Sequence, residues 1–297
     1  MAALAATNQE TTTEPIKISH HIIQNVSKQD FATSGTAELD EFDYLVVADS
    51  HGNGINKDYY IKLFGSIVWD RFLSGENWKE QLNGLCNSSF NLTKNAGTTF
   101  SYVKITSDHF EVTWIGDSSV KIYEKGAGEP HKDGRPGAKL VWRTKDHDYD
   151  NEEDISKLIY DATFNYTTAW DIQASSPTTM LSKKAKTFKY SNGEATNMTR
   201  CLGHRGTFST LGMVTTIIPR KKDAFYKIVA GSDGFWQVMT DEDQALMVDN
   251  SSEVLAQKAR SRWEQEWTHD DSMGTLTKNV KIPAHNWDDV AVATWSN

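Results

Sequence analysis

Apolar residues occur along the chain either in short continuous runs or, as at 97–106, in alternation with polar residues, and both patterns are typical of β-strands. They predict strands at residues 16–23, 42–48, 97–106, 110–115, 120–123, 140–143, 188–190, 228–230 and 290–295. The turn-forming residues between 115 and 120 indicate that the two strands flanking them form a hairpin.

Four segments have helical spacing instead, at residues 58–72, 151–160, 242–248 and 252–267. Strands therefore outnumber helices, and the two do not alternate in a regular βαβ order. This organisation predicts an α+β fold in which sheets pack on each other and helices cover the outside.

The domain organisation follows from composition. Residues 1–15 are rich in Ala, Thr and Glu and are predicted to form a disordered tail. No linker-like segment interrupts the rest of the 297 residues, so residues 16–297 are predicted to form a single domain. Within it, the polar segments 126–137 and 161–186 are predicted to be the least ordered.

Charge and composition exclude several classes of function. A formal net charge of −9 argues against nucleic-acid binding. No apolar run approaches the roughly 20 residues that cross a bilayer, and the N-terminus lacks the features of a signal peptide. The two cysteines show no metal-ligand spacing, and the histidines are scattered, which argues against a zinc site. We therefore expect a monomer with reduced cysteines in the cytoplasm or nucleus.

Aspartates recur at the ends of the apolar runs. Asp49, Asp117 and Asp233 each follow one, and Asp288 shortly precedes the last. A single aspartate in such a position is usually a turn or cap residue. Four with the same placement indicate strand ends that converge on a pocket rich in carboxylate oxygens. Mg²⁺ and Mn²⁺ prefer such ligands.

Motifs of other phosphate and hydrolase chemistries are missing. The sequence contains no G-x-x-x-x-G-K-[ST] loop, no dinucleotide-binding G-x-G-x-x-G after a strand and no set of kinase motifs. It also lacks H-E-x-x-H and G-x-S-x-G.

The motifs that are present resemble, in order, those of the metal-dependent type 2C protein serine/threonine phosphatases, the PPM superfamily. They lie at residues 28–30, 47–52, 96–99, 115–118, 144–147, 199–203, 232–236 and 288–292. The resemblance runs from about residue 28 to 295. It implies a four-layer α/β/β/α sandwich, with two antiparallel sheets flanked by helices. It also implies the hydrolysis of phosphoserine and phosphothreonine in protein substrates.

The resemblance further implies a centre with two Mn²⁺ or Mg²⁺ ions and, in part of the family, a third. The implied metal-binding residues are Asp49, which bridges the two ions, the Ser50 carbonyl on one ion, Asp233 and Asp288 on the other, Asp30 through water, and Asp117, which holds the third ion with Asp233. A hydroxide that bridges the two metals would attack phosphorus directly. His51 is the candidate general acid for the leaving oxygen; alternatively, it only structures the turn after Asp49.

Four positions depart from the family pattern. Ser50 stands where the family has glycine, and Asn25 stands where it often has an arginine that binds the phosphate. Gln237 and His204 replace two aspartates. Lys28 is a candidate substitute for the missing arginine. These departures keep open a weakened or inactive phosphatase-like binding module on the same fold. An enzyme for a small phosphorylated molecule is a further alternative.

Overall fold

The computed structural model describes residues 15–25, 27–38, 40–52, 57–88, 96–129, 137–148, 150–158, 165–189, 195–204, 212–271 and 273–297. Residues 1–14 of the predicted tail lie outside the described residues. Parts of four other predictions also do: 130–136 of the polar segment 126–137, 159–160 of the helix 151–160, 161–164 of the polar segment 161–186, and 190 of the strand 188–190.

Seventeen strands are present in the described part of the chain. In chain order they are β1 (Lys17–Ile23), β2 (Asp30–Ala37), β3 (Phe42–Gly52), β4 (Ala96–Thr98), β5 (Phe100–Ile105), β6 (His109–Ile115), β7 (Ser119–Gly128), β8 (Gly137–Arg143), β9 (Asn165–Ser176), β10 (Thr179–Lys189), β11 (Ala195–Thr196), β12 (Leu202–Gly203), β13 (Val214–Pro219), β14 (Phe225–Gly231), β15 (Glu266–Asp270), β16 (Leu276–Lys281) and β17 (Val290–Ser296). They form a seven-stranded sheet and two five-stranded sheets, of which the one called the third sheet consists of β9, β10, β11, β15 and β16.

Seven α-helices are present in the described part of the chain. In chain order they are α1 (Lys57–Ser66), α2 (Trp69–Leu73), α3 (Trp78–Cys86), α4 (Glu152–Leu158), α5 (Asp233–Trp236), α6 (Gln244–Asp249) and α7 (Ser252–Glu264), with 3₁₀ turns at Asp241–Asp243 and Ala284–Asn286. None of the helices in the described ranges has the length and apolar composition needed to cross a membrane.

Two antiparallel sheets pack face to face at the centre of the molecule. The five-stranded sheet has the order β1-β17-β14-β7-β8, and the seven-stranded sheet runs β12-β4-β3-β5-β6-β13 with β2 beside β3. Along β3, Leu45 and Val47 pack into the core between the sheets, whereas Val46 and Ala48 pack against α1–α3. Because successive side chains of a strand point to opposite faces, β3 is apolar on both sides.

The five-stranded sheet is covered in the same way. Val290 and Val292 of β17 pack outward in the cluster that contains α6 and α7, while Ala291 and Ala293 face the other sheet. The layers are therefore helix, sheet, sheet, helix. The predicted α+β sandwich is confirmed.

The predicted hairpin of residues 110–115 and 120–123 is wrong. β6 pairs with β5 and β13, whereas β7 pairs with β14 and β8 in the other sheet. The intervening turn crosses from one sheet to the other. Gly116 permits this crossing, since its φ is +94° and a Cβ there would lie 2.6 Å from Cγ2 of Thr99. Asp117 lies in this turn, where the chain passes from one sheet to the other.

The prediction of low order at residues 161–186 is also wrong over its described part. β9 and β10 form a long antiparallel hairpin, and β10 pairs in parallel with β15. Of the side chains described in this hairpin, only Ala174 and Met180 are buried hydrophobics. The hairpin sequence is rich in threonine, serine and lysine, so its apolar pattern is weak. The third sheet also ends the helix predicted at 252–267 early, because β15 starts at Glu266.

Candidate active site

The strand-end aspartates come together at one edge of the central sandwich. The end of β14 pairs with the starts of both β7 and β17. Asp117 lies two residues before β7, Asp233 two residues after β14, and Asp288 two residues before β17. The ladder therefore brings three aspartates that are distant in the sequence to the same place.

Asp30 and Asp49 belong to the facing sheet and lie opposite each other in the β2–β3 ladder. The hydroxyl of Ser232, next to Asp233, donates to Oδ2 of Asp30 at 2.6 Å. The same hydroxyl accepts the backbone N–H of Ala291 at 3.1 Å. Ser232 thus joins the two sheets at the carboxylate cluster.

The turn that presents Asp233 depends on the glycine after it. The Asp233 Oδ1 accepts the Gly234 N–H at 2.7 Å. A Cβ on Gly234 would lie 2.1 Å from the carbonyl oxygen of Asp289 and 2.8 Å from Cβ of Asp288. Only a residue without a side chain allows this approach, so Gly234 lets the Asp233 turn pack directly against the Asp288 segment.

The cluster is electrostatically unfavourable without a cation. Burial raises the pKa of Asp30, Asp49 and Asp233 well above the usual range of aspartate, and for Asp49 the neighbouring carboxylates raise it further. Those neighbours are Asp233, Asp30, Asp288 and Asp117. A divalent cation would stabilise the charged forms, and the donor set is all oxygen. The residues therefore fit the hard cations that the sequence predicts.

The backbone around Asp49 is fixed from both sides. Its N–H donates to Oγ1 of Thr99 at 2.9 Å, and its carbonyl accepts the Thr99 N–H at 2.8 Å. Ser50 is fully buried and donates its N–H to the carbonyl of Gln29 at 3.0 Å. Its hydroxyl has no hydrogen-bond partner among the described residues. The Ser50 carbonyl as a ligand stays a prediction.

Asp289 is a structural residue of the site that the sequence reasoning missed. It is fully buried and accepts three hydrogen bonds from the loop before Asp30. The donors are the Asn25 N–H, the Ser27 hydroxyl at 2.8 Å and the Gln29 N–H at 2.6 Å. The second carboxylate of the Asp288–Asp289 pair was the available signal in the sequence.

The two candidate phosphate-binding positions lie in this same loop. The Asn25 side-chain amide donates to the carbonyl of Ala284 at 3.2 Å and to that of Trp287. Both amide hydrogens are therefore used within the protein. Lys28 is exposed, with a φ of +51°. It remains the candidate cation of the loop.

His51 contacts a second histidine. Its ring stacks on that of His204 with centroids 5.0 Å apart and an interplanar angle of 18°. Burial, and then His204, lowers the pKa of His51 to about 3, and burial lowers the pKa of His204 to about 4. Both imidazoles are therefore neutral at pH 7. A neutral His51 can donate an N–H, but it lacks the acidity of an imidazolium.

A cavity of about 740 Å³ opens beside the cluster rather than on it. Ser119, Asp146 and Trp236 are part of its wall, and the five clustered aspartates are not. Trp236 donates its indole N–H to the carbonyl of Ser119 at 3.0 Å. The cavity is therefore a groove next to the carboxylate cluster.

By sequence, the chain matches no protein-family model and no curated protein. Solved structures do match. A sex-determining protein of C. elegans aligns at 15% identity with a TM-score of 0.54, over 96% of this chain and 65% of that one. The chain thus spans less than two thirds of that relative.

Bacterial phosphatases match over nearly their full length. The serine/threonine phosphatase PstP/Ppp of Mycobacterium tuberculosis aligns at 12% identity with a TM-score of 0.53, over 94% of this chain and 97% of that one. The catalytic domain of PstP in complex with two manganese ions aligns at 13% identity with a TM-score of 0.51, over 95% and 98%. At these identities the likeness is one of fold. The protein has the fold of the type 2C serine/threonine phosphatases.

Proposed function

We propose that the protein is a metal-dependent phosphatase that hydrolyses phosphoserine and phosphothreonine in protein substrates. One observation carries the proposal. Asp49, Asp233 and Asp288 converge at one edge of the sandwich and raise the free energy of a site that holds no cation. A protein that only binds a partner gains nothing from several buried like charges. A site that holds divalent cations needs them.

The proposed ligands of two Mn²⁺ or Mg²⁺ ions are Asp49 as the bridge, the Ser50 carbonyl, Asp233 and Asp288, with Asp30 acting through water and Asp117 with Asp233 at a third ion. When bound, the cations would lower the pKa of a nearby water and so supply hydroxide near neutral pH. They would also offset the charge of the phosphate.

The chain's own residues would position the metal ligands and the substrate. Thr99 holds the Asp49 backbone in place through two hydrogen bonds. Asp289 holds the loop that carries Lys28 against the cluster, so the Lys28 ammonium could attract the substrate phosphate. His51 is the proposed proton donor to the leaving serine or threonine oxygen, through the N–H of its neutral ring.

The direct test is turnover. With Mn²⁺ added, we expect the protein to hydrolyse a phosphothreonine peptide, and the chelated protein to be inactive. Asp288→Asn should lose most of this activity, because it removes a proposed ligand. Asp223→Asn, which changes an exposed aspartate outside the cluster, should retain it.

Folded wild-type protein without Mn²⁺-dependent turnover would contradict the proposal. Turnover of an aryl phosphate but not of the peptide would redirect it to a small-molecule substrate.

The second candidate, a weakened enzyme or binding module, is favoured by Asn25. Its amide is committed to the Ala284 and Trp287 carbonyls and carries no charge for a phosphate. If the enzyme binds the phosphate weakly because residue 25 is not arginine, Asn25→Arg should lower KM for the phosphopeptide several-fold. Arginine can bind phosphate through two N–H groups. Asn25→Ala is the matched control, because it loses the same amide hydrogen bonds without adding charge. Metal binding with no turnover in any of the three proteins would favour the binding module.

A further inference from the structure

Three potential metal ligands lie close together beside the carboxylate cluster. His51 belongs to β3, and Cys201 and His204 directly flank β12. One ligand atom of each, an imidazole nitrogen or the thiol sulfur, lies within 4.8 Å of the other two. At least 150 residues separate His51 from Cys201 and His204 in the sequence, so motif spacing could not reveal this cluster.

The strand ladder explains why the two imidazoles meet. In the seven-stranded sheet His51 pairs with Gly97 of β4, and Gly97 pairs with Gly203 of β12. A Cβ on Gly97 would lie 2.4 Å from Cδ2 of His204 and 2.7 Å from Nε2 of His51. The two rings therefore close over a position that must lack a side chain. His204 itself has a φ of +48° and donates its N–H to the Ala96 carbonyl at 2.9 Å.

The cluster is desolvated. Cys201 is 7% exposed and His204 is 5% exposed. Neither ring nitrogen of His51 has a hydrogen-bond partner among the described residues; the Asp49 backbone lies near the ring but outside hydrogen-bond geometry. Leaving a buried polar group unsatisfied costs about 1–3 kcal/mol. A metal ion bonded to a ring nitrogen of His51 would remove this cost.

We propose that His51, Cys201 and His204 form a binding site for Zn²⁺ or a similar soft divalent metal ion. This site is distinct from the hard-cation centre of the aspartates. Zn–N and Zn–S bonds of about 2.0–2.3 Å at tetrahedral angles place the donor atoms about 3.3–3.7 Å apart. The observed spacing of up to 4.8 Å is wider, so binding requires the side chains to rotate and the two imidazoles to leave their stacked arrangement. Two nitrogens and one sulfur select Zn²⁺ over Mg²⁺ and leave a fourth position open.

The surroundings favour a cation at this place. Burial, and then Asp117, raises the pKa of the Cys201 thiol, so without an ion the thiol keeps its proton. On binding, the ion would displace this proton, and the resulting thiolate would neutralise one of the ion's two positive charges. An ion here would link the end of β3 to β12. It would also hold the ring of His51, and Zn²⁺ would then inhibit turnover. This last consequence rests on the proposed function, whereas metal binding does not.

Cobalt is the probe that separates the two kinds of site. Co²⁺ is titrated into chelator-treated protein that contains excess Mg²⁺ to occupy the oxygen ligands. We expect one equivalent to give intense visible bands of tetrahedral Co²⁺ and a thiolate-to-cobalt charge-transfer band in the near ultraviolet. One equivalent of Zn²⁺ should abolish both. Absorption by six-coordinate Co²⁺ alone would overturn the proposal, because an all-oxygen site gives no thiolate band.

Variants assign the ligands. Cys201→Ser should lose the charge-transfer band, and His204→Ala should weaken Zn²⁺ binding by more than about 100-fold, beyond the 10–100-fold typical for losing an outer partner of a ligand. Cys86→Ser, which changes the other buried free cysteine, should keep the spectrum. Asp288→Asn should keep it too. A band that survives Cys201→Ser, or that disappears with Cys86→Ser or Asp288→Asn, would overturn the assignment even if turnover had never been detected.

Discussion

Asp49→Asn is expected to lower phosphatase turnover by at least about 1000-fold while raising the thermal stability of the metal-free protein. The first effect follows from the proposed bridging role, because losing the residue shared by two cations removes about 4 kcal/mol or more of transition-state stabilisation. The amide has nearly the same shape as the carboxylate, so the Thr99 contacts to the backbone of residue 49 are retained.

The second effect follows from the pKa of Asp49. Burial and four neighbouring carboxylates raise that pKa in the folded protein above its unfolded value. The folded state therefore binds a proton more tightly, and metal-free protein loses stability as the pH rises above about 4, the ordinary pKa of aspartate. The neutral amide does not titrate, so the variant loses less. At pH 7.5 we expect its Tm to be higher by at least about 3 °C.

The measurement compares unfolding curves of both proteins at pH 5 and pH 7.5, with chelator and with Mn²⁺. Mn²⁺ should stabilise the wild type strongly and the variant weakly, which reverses their order. Asp223→Asn should follow the wild type throughout. Equal turnover in the two proteins, or a variant less stable than the wild type in chelator at pH 7.5, would show that Asp49 is not part of a cation site.

Asp243→Ala is expected to lower the free energy of unfolding by about 3–5 kcal/mol. The Arg262 side chain is only 2% exposed, and its guanidinium donates to the two carboxylate oxygens of Asp243 at 2.5 Å each. The same carboxylate accepts the N–H and hydroxyl of Thr240 at 2.8 and 3.0 Å. The substitution leaves the arginine charge buried without its counterion and removes the Asp243 half of the capping box that begins the 3₁₀ turn before α6.

Urea unfolding measures this loss. Glu264→Ala breaks the more exposed pair with Arg260 on α7 and should cost less than about 1 kcal/mol. Asp243→Leu combined with Arg262→Met should be more stable than Asp243→Ala, because no buried charge is left. A loss below about 1 kcal/mol in Asp243→Ala would mean that Arg262 reaches solvent in the variant and that the pair is not a buried ion pair.

Much of the fold was predictable because its central strands bury both faces. Runs such as residues 42–48 and 290–295 are apolar at nearly every position, and only a strand covered on both sides tolerates this. The third sheet was not predictable in this way. Its hairpin of β9 and β10 is rich in threonine, serine and lysine, so its local composition resembles that of a loop.

The candidate site was predictable in its parts but not in its arrangement. Asp49, Asp117, Asp233 and Asp288 are marked by their positions next to strands, which the local sequence determines. Their convergence depends on the pairing of β14 with β7 and β17, and on a turn at Gly116 that joins two sheets. The same turn signal would serve a hairpin, so the sequence could not distinguish the two.

The sequence by itself determined which residues could form strands, and it placed short carboxylates at the ends of those strands. Both properties are local, since they depend on alternation and on turn chemistry within a few residues. Only the tertiary structure decided which strand ends meet. It also brought His51 to Cys201 and His204 across a glycine in the intervening strand. Ligand sets of this kind arise from register between strands far apart in the chain, and register is set by the packing of the whole sheet.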